Sequence, residues 1–254
     1  MERYQHGICV AHAASGQNVT AWVQSRSPID EGQCYPVIAY ASPDSSRRTK
    51  LRQLQRLATE RFGCHDFTFV SHHASVSRSL VPLLCEVPHV VHFQGPWADE
   101  AAIEGAPRWK AFLQRRAERQ AYHSADRIIT LSTAFAELVV ERYGVSPDVV
   151  RVVPGAVDAA AADPGISRAE ARQRLGWPLN RPILISIRRL VKRVGIDVLI
   201  ESTRQLVAKH PDLLVLIGGT GPLQGELAAA IERHGLAGNV RLLGFVPDDL
   251  LSTA

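Results

Sequence analysis

Ile183-Leu184-Ile185-Ser186-Ile187-Arg188-Arg189-Leu190-Val191-Lys192-Arg193-Val194-Gly195-Ile196-Asp197-Val198-Leu199-Ile200 reads as a strand, a loop holding four cations, and a glycine that opens a helix. Ile183 to Ile187 has the length and branched composition of a strand covered on both faces. From Gly195 the apolar residues recur at helical spacing (Ile196, Leu199, Ile200, Thr203, Leu206, Val207) and stop at His210-Pro211. A helix N-terminus offers unpaired N–H groups and the positive end of the macrodipole, so cations beside it create a place for a phosphate. Taken alone, the cluster reads more readily as a solvated basic turn than as an anion site.

Outward from that stretch, strands and helices alternate. Upstream the pattern predicts a helix from Met1 to Ala14, strands at Val19 to Val23 and Val37 to Tyr40, and a basic helix from Ser46 to Arg61. It continues with strand Phe67 to Ser71, helix Val76 to Cys85, strand His89 to Phe93 and a loop from Gln94 to Pro107. Helix Arg108 to His123, strand Arg127 to Leu131, helix Thr133 to Tyr143 and strand Val150 to Val153 complete the series. The Ala/Gly/Pro-rich Pro154 to Gly165 reads as a linker. Ser167 and Glu170 then form a capping box for a short helix closed by Gly176. Further strands are predicted at Leu213 to Ile217 and Val240 to Leu243. Alternation of this kind implies α/β architecture with parallel sheets. The reading is two Rossmann-like doubly wound domains with a cleft between them: residues 1–154, a linker and short helix at 155–180, and a partial domain at 181–254.

The 254 residues are 46% hydrophobic and 21% charged, with a net charge of +4, which describes an ordinary globular chain. No run reaches the roughly 18 apolar residues of a membrane span, and Met1-Glu2-Arg3-Tyr4 begins no signal peptide. Cys9, Cys34, Cys64 and Cys85 show no paired spacing, which fits reduced thiols in a cytoplasm. The sequon Asn18-Val19-Thr20 then carries no meaning. The mild basicity permits anionic substrates or anionic lipid, and no nucleic-acid signature accompanies it.

The segments "RRLVKRVGIDVLIES", "PDLLVLIGGTGPLQGELAAAIERHGL" and "NVRLLGFVPDDLL" resemble the donor-binding half of family-4 retaining glycosyltransferases (glycosyl transferases group 1) of the GT-B fold. "VVHFQGPWADE", "ADRIITLSTAFAELVVERYGV" and "VRVVPGAVD" resemble, in the same order, successive segments of that family's acceptor domain. Nearly the whole chain is covered. The resemblance implies transfer of a hexose from a nucleoside-diphosphate sugar to an acceptor hydroxyl, with the nucleotide sugar as co-substrate and no other cofactor. It also implies a first strand and a two-glycine loop ahead of Glu2-Arg3-Tyr4, and two glutamates separated by seven residues beyond Asp248. No two glutamates in this sequence stand eight positions apart. The expectation is therefore a fragment of an enzyme: inactive alone, poorly soluble, and at most a weak nucleotide binder.

Within that resemblance Arg189 matches the arginine that stabilises the diphosphate leaving group. The family's lysine before the glycine is replaced by Val194, so Arg188, Lys192 or Arg193 must supply the second cation, with Gly195 at the helix start. Gly219, Thr220 and Gly221 follow a strand and read either as a donor loop or as a structural turn. A nicotinamide dehydrogenase is disfavoured because no carboxylate follows the next strand until Asp248. The family's histidine facing the donor sugar is matched by Gln94, with His92 two residues earlier on the same strand face. A plain strand-end histidine stays open for His92. Glu100 resembles an acceptor-loop carboxylate. His65, Asp66, His72 and His73 lack the spacing of a metal site, and no two aspartates are separated by one residue, so catalysis is expected to be metal-independent. His72 and His73 are expected to line the cleft or cap its edge. The helix Ser46 to Arg61, with Arg47, Arg48, Lys50, Arg52 and Arg56, is either a solvated face or a peripheral contact to anionic membrane.

Overall fold

The computed structural model describes residues 2–27, 29, 32–62, 67–84, 87–156, 163, 165–247, 250, 251 and 253. Met1, Cys64, His65, Asp66, Cys85, Asp248 and most of the expected linker lie outside them. The described chain forms two compact units, residues 1–98 with 108–154, and residues 99–107 with 155–254.

The first unit opens on helix α1 (Glu2–Ala14), followed by strands β1 (Ala21–Gln24) and β2 (Val37–Ala41) and helix α2 (Arg47–Phe62). Strand β3 (Phe69–Ser71), helix α3 (Ala74–Leu80) and strand β4 (His89–Phe93) come next. A short helix α4 (Trp97–Ile103) precedes α5 (Arg108–His123), β5 (Arg127–Thr130), α6 (Thr133–Tyr143) and β6 (Val150–Val152). All pairings are parallel, but they make two sheets among the described residues, β1-β2 and β3-β4-β5-β6. Among the described residues no ladder joins β1 to β3. Aromatic packing links them instead: Trp22 of β1 stacks on Phe62 at 5.9 Å and lies 6.0 Å from Phe69 of β3. A second core gathers Val91, Phe93, Tyr122, Ile128, Val139 and Tyr143. Helix α6 shows why its sequence folds locally. Ser132 Oγ accepts from the Phe135 amide at 3.2 Å, and Gly144 closes the helix at φ 69°.

The second unit holds α7 (Arg168–Arg174), β7 (Ile183–Ile187), α8 (Ile196–Val207), β8 (Leu214–Gly218), α9 (Gln224–Arg233) and β9 (Val240–Gly244). The sheet is parallel in the order β7-β8-β9. The capping box expected at Ser167 and Glu170 is present: the Ser167 amide donates to Glu170 at 2.8 Å and the Glu170 amide to Ser167 Oγ at 3.3 Å.

Three expectations need correction. The strand covered on both faces is β8, buried along its whole length, not β7. β7 is an edge strand in this sheet, leaving Leu184 and Ile185 45% and 39% exposed. The stretch Gln94 to Pro107 is not all loop, because α4 forms within it. The helix expected from Val76 to Cys85 gives way after Leu80 to a single 3-10 turn, Val81–Leu83, where Pro82 has no N–H to continue the ladder.

Candidate functional site

Parallel sheets collect functional side chains at the C-terminal ends of their strands, and in the second unit the two loops leaving β7 and β8 are bound to each other. The Arg188 amide donates to the Gly218 carbonyl at 2.9 Å and the Leu190 amide to Thr220 at 3.0 Å, while the Leu223 amide returns to Leu190 at 3.2 Å. Leu190 is buried beneath them. This close approach explains the glycines. A Cβ on Gly219 would overlap the Arg188 carbonyl oxygen, one on Gly221 the Leu190 carbonyl oxygen, and one on Gly218 would sit 2.6 Å from Val246. Gly219 also holds φ 129°, a conformation side chains resist. The glycine run thus has a structural role: it holds the backbone of the basic loop in place.

With its backbone held, that loop turns its cations outward. Lys192–Val194 form a 3-10 turn closed by Gly195 at φ 75°, and α8 starts at the next residue. Arg188, Arg189 and Lys192 are exposed and make no ion pair among the described residues. Arg193 differs from its neighbours. Its Nη1 lies 2.8 Å from Glu100 Oε1, and its Nε lies 2.9 Å from Glu104 Oε1. Glu100 is therefore paired with a cation of the basic loop, and Glu104, which the sequence reading did not single out, shares it. Their spacing of four residues was the available signal, because it places both carboxylates on one face once α4 is recognised as a helix.

In the first unit His72, directly after β3, and His92, on β4, stack at 4.5 Å with 26° between the rings. Tyr4 of α1 meets both edge-on, and its hydroxyl lies 3.1 Å from His92 Nδ1. His92 is 6% exposed. Burial, then the neighbouring His72 and His12, push it down to about 4. Burial also lowers His72 and raises the Tyr4 hydroxyl. At neutral pH the pair is uncharged. A phenol is the better donor toward an imidazole nitrogen, so the Tyr4 hydroxyl donates to Nδ1 and His92 carries its proton on Nε2. His92 can then offer an N–H to a ligand and is a poor general base. Tyr4 was missed because nothing in an isolated helix sequence shows which ring it will meet.

His73 takes a role the sequence did not suggest, as a helix cap. Its Nδ1 accepts from the Ser75 amide at 3.2 Å and caps α3. Gln94 follows β4, and its amide nitrogen is buried without a hydrogen-bond partner, as is His72 Nδ1. Unpartnered buried polar atoms are rare in native folds; His89 Nδ1, Gln114 Oε1 and Glu118 Oε1 share this condition elsewhere in the first unit, so it does not by itself mark the site. No group of three or more metal-ligating side chains converges among the described residues. Among the described residues no helix is long and apolar enough to cross a membrane.

Residues 1–161 match the family model described as Glycosyltransferase Family 4, and residues 167–254 match Glycosyl transferases group 1. A D-inositol 3-phosphate glycosyltransferase of Acidothermus cellulolyticus is 36% identical over 101 residues, which are 38% of this chain and 22% of that protein. The phosphatidylinositol N-acetylglucosaminyltransferase GPI3 subunit of Saccharomyces cerevisiae is 31% identical over 129 residues, 49% of this chain and 27% of that one. The matches thus span under a third of either relative's length. Among solved structures, Anabaena HepE in complex with UDP and glucose superposes with a TM-score of 0.73 at 18% identity, covering 97% of this chain and 67% of that one. That likeness shows the GT-B fold. With a family model covering more than half of its residues, the chain belongs to glycosyltransferase family 4.

Proposed function

We propose that this chain carries the donor-handling elements of a retaining, metal-independent glycosyltransferase that moves a hexose from a nucleoside diphosphate to an acceptor hydroxyl. The observation that carries the reading is the interlocked pair of loops, which fixes the backbone at Arg188 and Leu190 while leaving Arg188, Arg189 and Lys192 exposed and without ion-pair partners among the described residues, beside the start of α8. Negative charge grows on the diphosphate as the glycosidic bond breaks, and fixed cations stabilise it. Arg189 is assigned to that oxygen cluster, with Arg188 or Lys192 as the second cation. Arg193 is the weaker candidate, since Glu100 and Glu104 already neutralise it. His92 Nε2–H and the Gln94 amide are assigned to hydroxyls of the sugar. HepE, as a complex with UDP and glucose, supports a uridine nucleotide as the first donor to try. The reaction is placed on the cytoplasmic side, with the cations of α2 as a peripheral contact to anionic lipid.

A second reading keeps the nucleotide site without the chemistry. It is favoured by the lack, in these 254 residues, of any two glutamates eight positions apart to orient ribose and sugar. One experiment separates the two. UDP-glucose is presented with an acceptor panel, and binding and UDP release are followed for the wild-type chain and Arg189→Ala. Turnover lost with Arg189→Ala supports the enzyme; binding without turnover supports the second reading. Neither binding nor turnover would refute both.

A further inference from the structure

Helix α5 is inside out. Its buried side is made of Ala111, Gln114, Ala117, Glu118, Ala121 and Tyr122, so two polar residues and three alanines face the core. On the outside Trp109, Phe112 and Leu113 are 66%, 66% and 54% exposed. At spacings of three and four these residues share one helix face. An amphipathic surface helix normally places such side chains inward, and three large apolar groups left together in water point to an occupant.

The surrounding charge identifies it. Arg108, Lys110, Arg116 and Arg119 lie on the exposed side, and the only carboxylate in the helix, Glu118, is fully buried. Apolar anchors flanked on their own helix by exposed cations alone match the interface of an anionic bilayer: the rings enter the headgroup boundary while the cations meet phosphate. A second copy of this chain fits poorly, because a symmetric pairing would bring the same four cations against themselves. Helix α2 differs: its apolar stripe of Leu54, Ala58 and Phe62 is already buried in the protein. It offers charge without insertion.

We propose that the outward face of α5 docks on an anionic phospholipid surface through Trp109, Phe112 and Leu113. This does not depend on the donor assignment, and its test uses no nucleotide. The full chain is sedimented with vesicles of phosphatidylcholine, with or without about a third of phosphatidylglycerol. Binding is expected only with the anionic lipid, and to weaken about tenfold or more in the triple variant Trp109→Ser, Phe112→Ser, Leu113→Ser. Replacing Arg47, Arg48, Lys50 and Arg52 by alanine should weaken it less. With brominated acyl chains, tryptophan quenching should appear in the wild type and vanish in Trp109→Phe; this arm stands even if the triple variant does not fold. Equal binding to neutral vesicles, undiminished binding of a folded triple variant, or quenching that survives Trp109→Phe would each overturn the proposal. So would a dimer that the triple variant dissolves, or loss of binding on the α2 substitutions alone.

Discussion

Acidification should destabilise the first unit through His92, by an amount that can be worked out. In the folded chain this imidazole is held at about 4 against an ordinary 6.5, chiefly by burial under Tyr4 and against His72. The unfolded chain therefore takes up the proton first. The corresponding stability is fully present above about pH 6.5 and is lost as the pH falls toward the folded value. Between about pH 7 and about pH 5 the loss from this one group is on the order of 2 kcal/mol. His72 is shifted in the same direction and adds to it. The assay is urea denaturation at both pH values for the wild type and His92→Gln, alongside histidine ring resonances to titrate His92 directly. The wild type should lose more stability on acidification than His92→Gln. A His92 resonance titrating near 6.5, or parallel losses in both proteins, would refute the burial argument and with it the assignment of an uncharged N–H donor.

Other perturbations follow from the same contacts. Gly219→Ala should destabilise the second unit by about 2 kcal/mol or more, read from denaturant midpoints, because the new Cβ meets the Arg188 carbonyl in a backbone conformation that already disfavours it. The double variant Glu100→Gln, Glu104→Gln should cost under about 1 kcal/mol, since the ion pairs are only partly buried, yet it frees Arg193 and should strengthen UDP binding; unchanged calorimetric affinity would contradict this. Val194→Lys, restoring the family's residue, should fold normally by circular dichroism and hold UDP at least as well as the wild type.

The alternation of strands and helices was legible because apolar runs such as Ile183 to Ile187 and Leu214 to Ile217 are bounded by turn residues, and the caps at Ser132, Ser167 and Gly144 are local signals. Which of two similar strands lies mid-sheet is not local. Ile183 to Ile187 and Leu214 to Ile217 look equally buried as sequence, and only pairing order separates them. The basic loop was legible as a site for the same reason it was ambiguous: sequence shows cations but not which are already paired. Arg193 is neutralised by Glu100 of α4 and by Glu104 just after it, the latter across 89 residues of chain, whereas Arg188 and Arg189 make no ion pair among the described residues. The histidines show the same division. His73 caps the helix that follows it, a short-range event, while the meeting of His72, His92 and Tyr4 depends on three separate elements. The outward aromatic face of α5 was hidden because a helical period shows that a stripe exists, not which side the core will take.

Presentation of Arg189 to a diphosphate by the interlocked loops after β7 and β8 is tested by calorimetric titration of the chain with UDP, repeated with Arg189→Ala and, as a control in the first unit, His73→Gln. Saturable, salt-sensitive UDP binding is expected that weakens about tenfold or more with Arg189→Ala, as loss of a charge-assisted contact to phosphate should, and survives His73→Gln. UDP bound as tightly by Arg189→Ala as by the wild-type chain would contradict it.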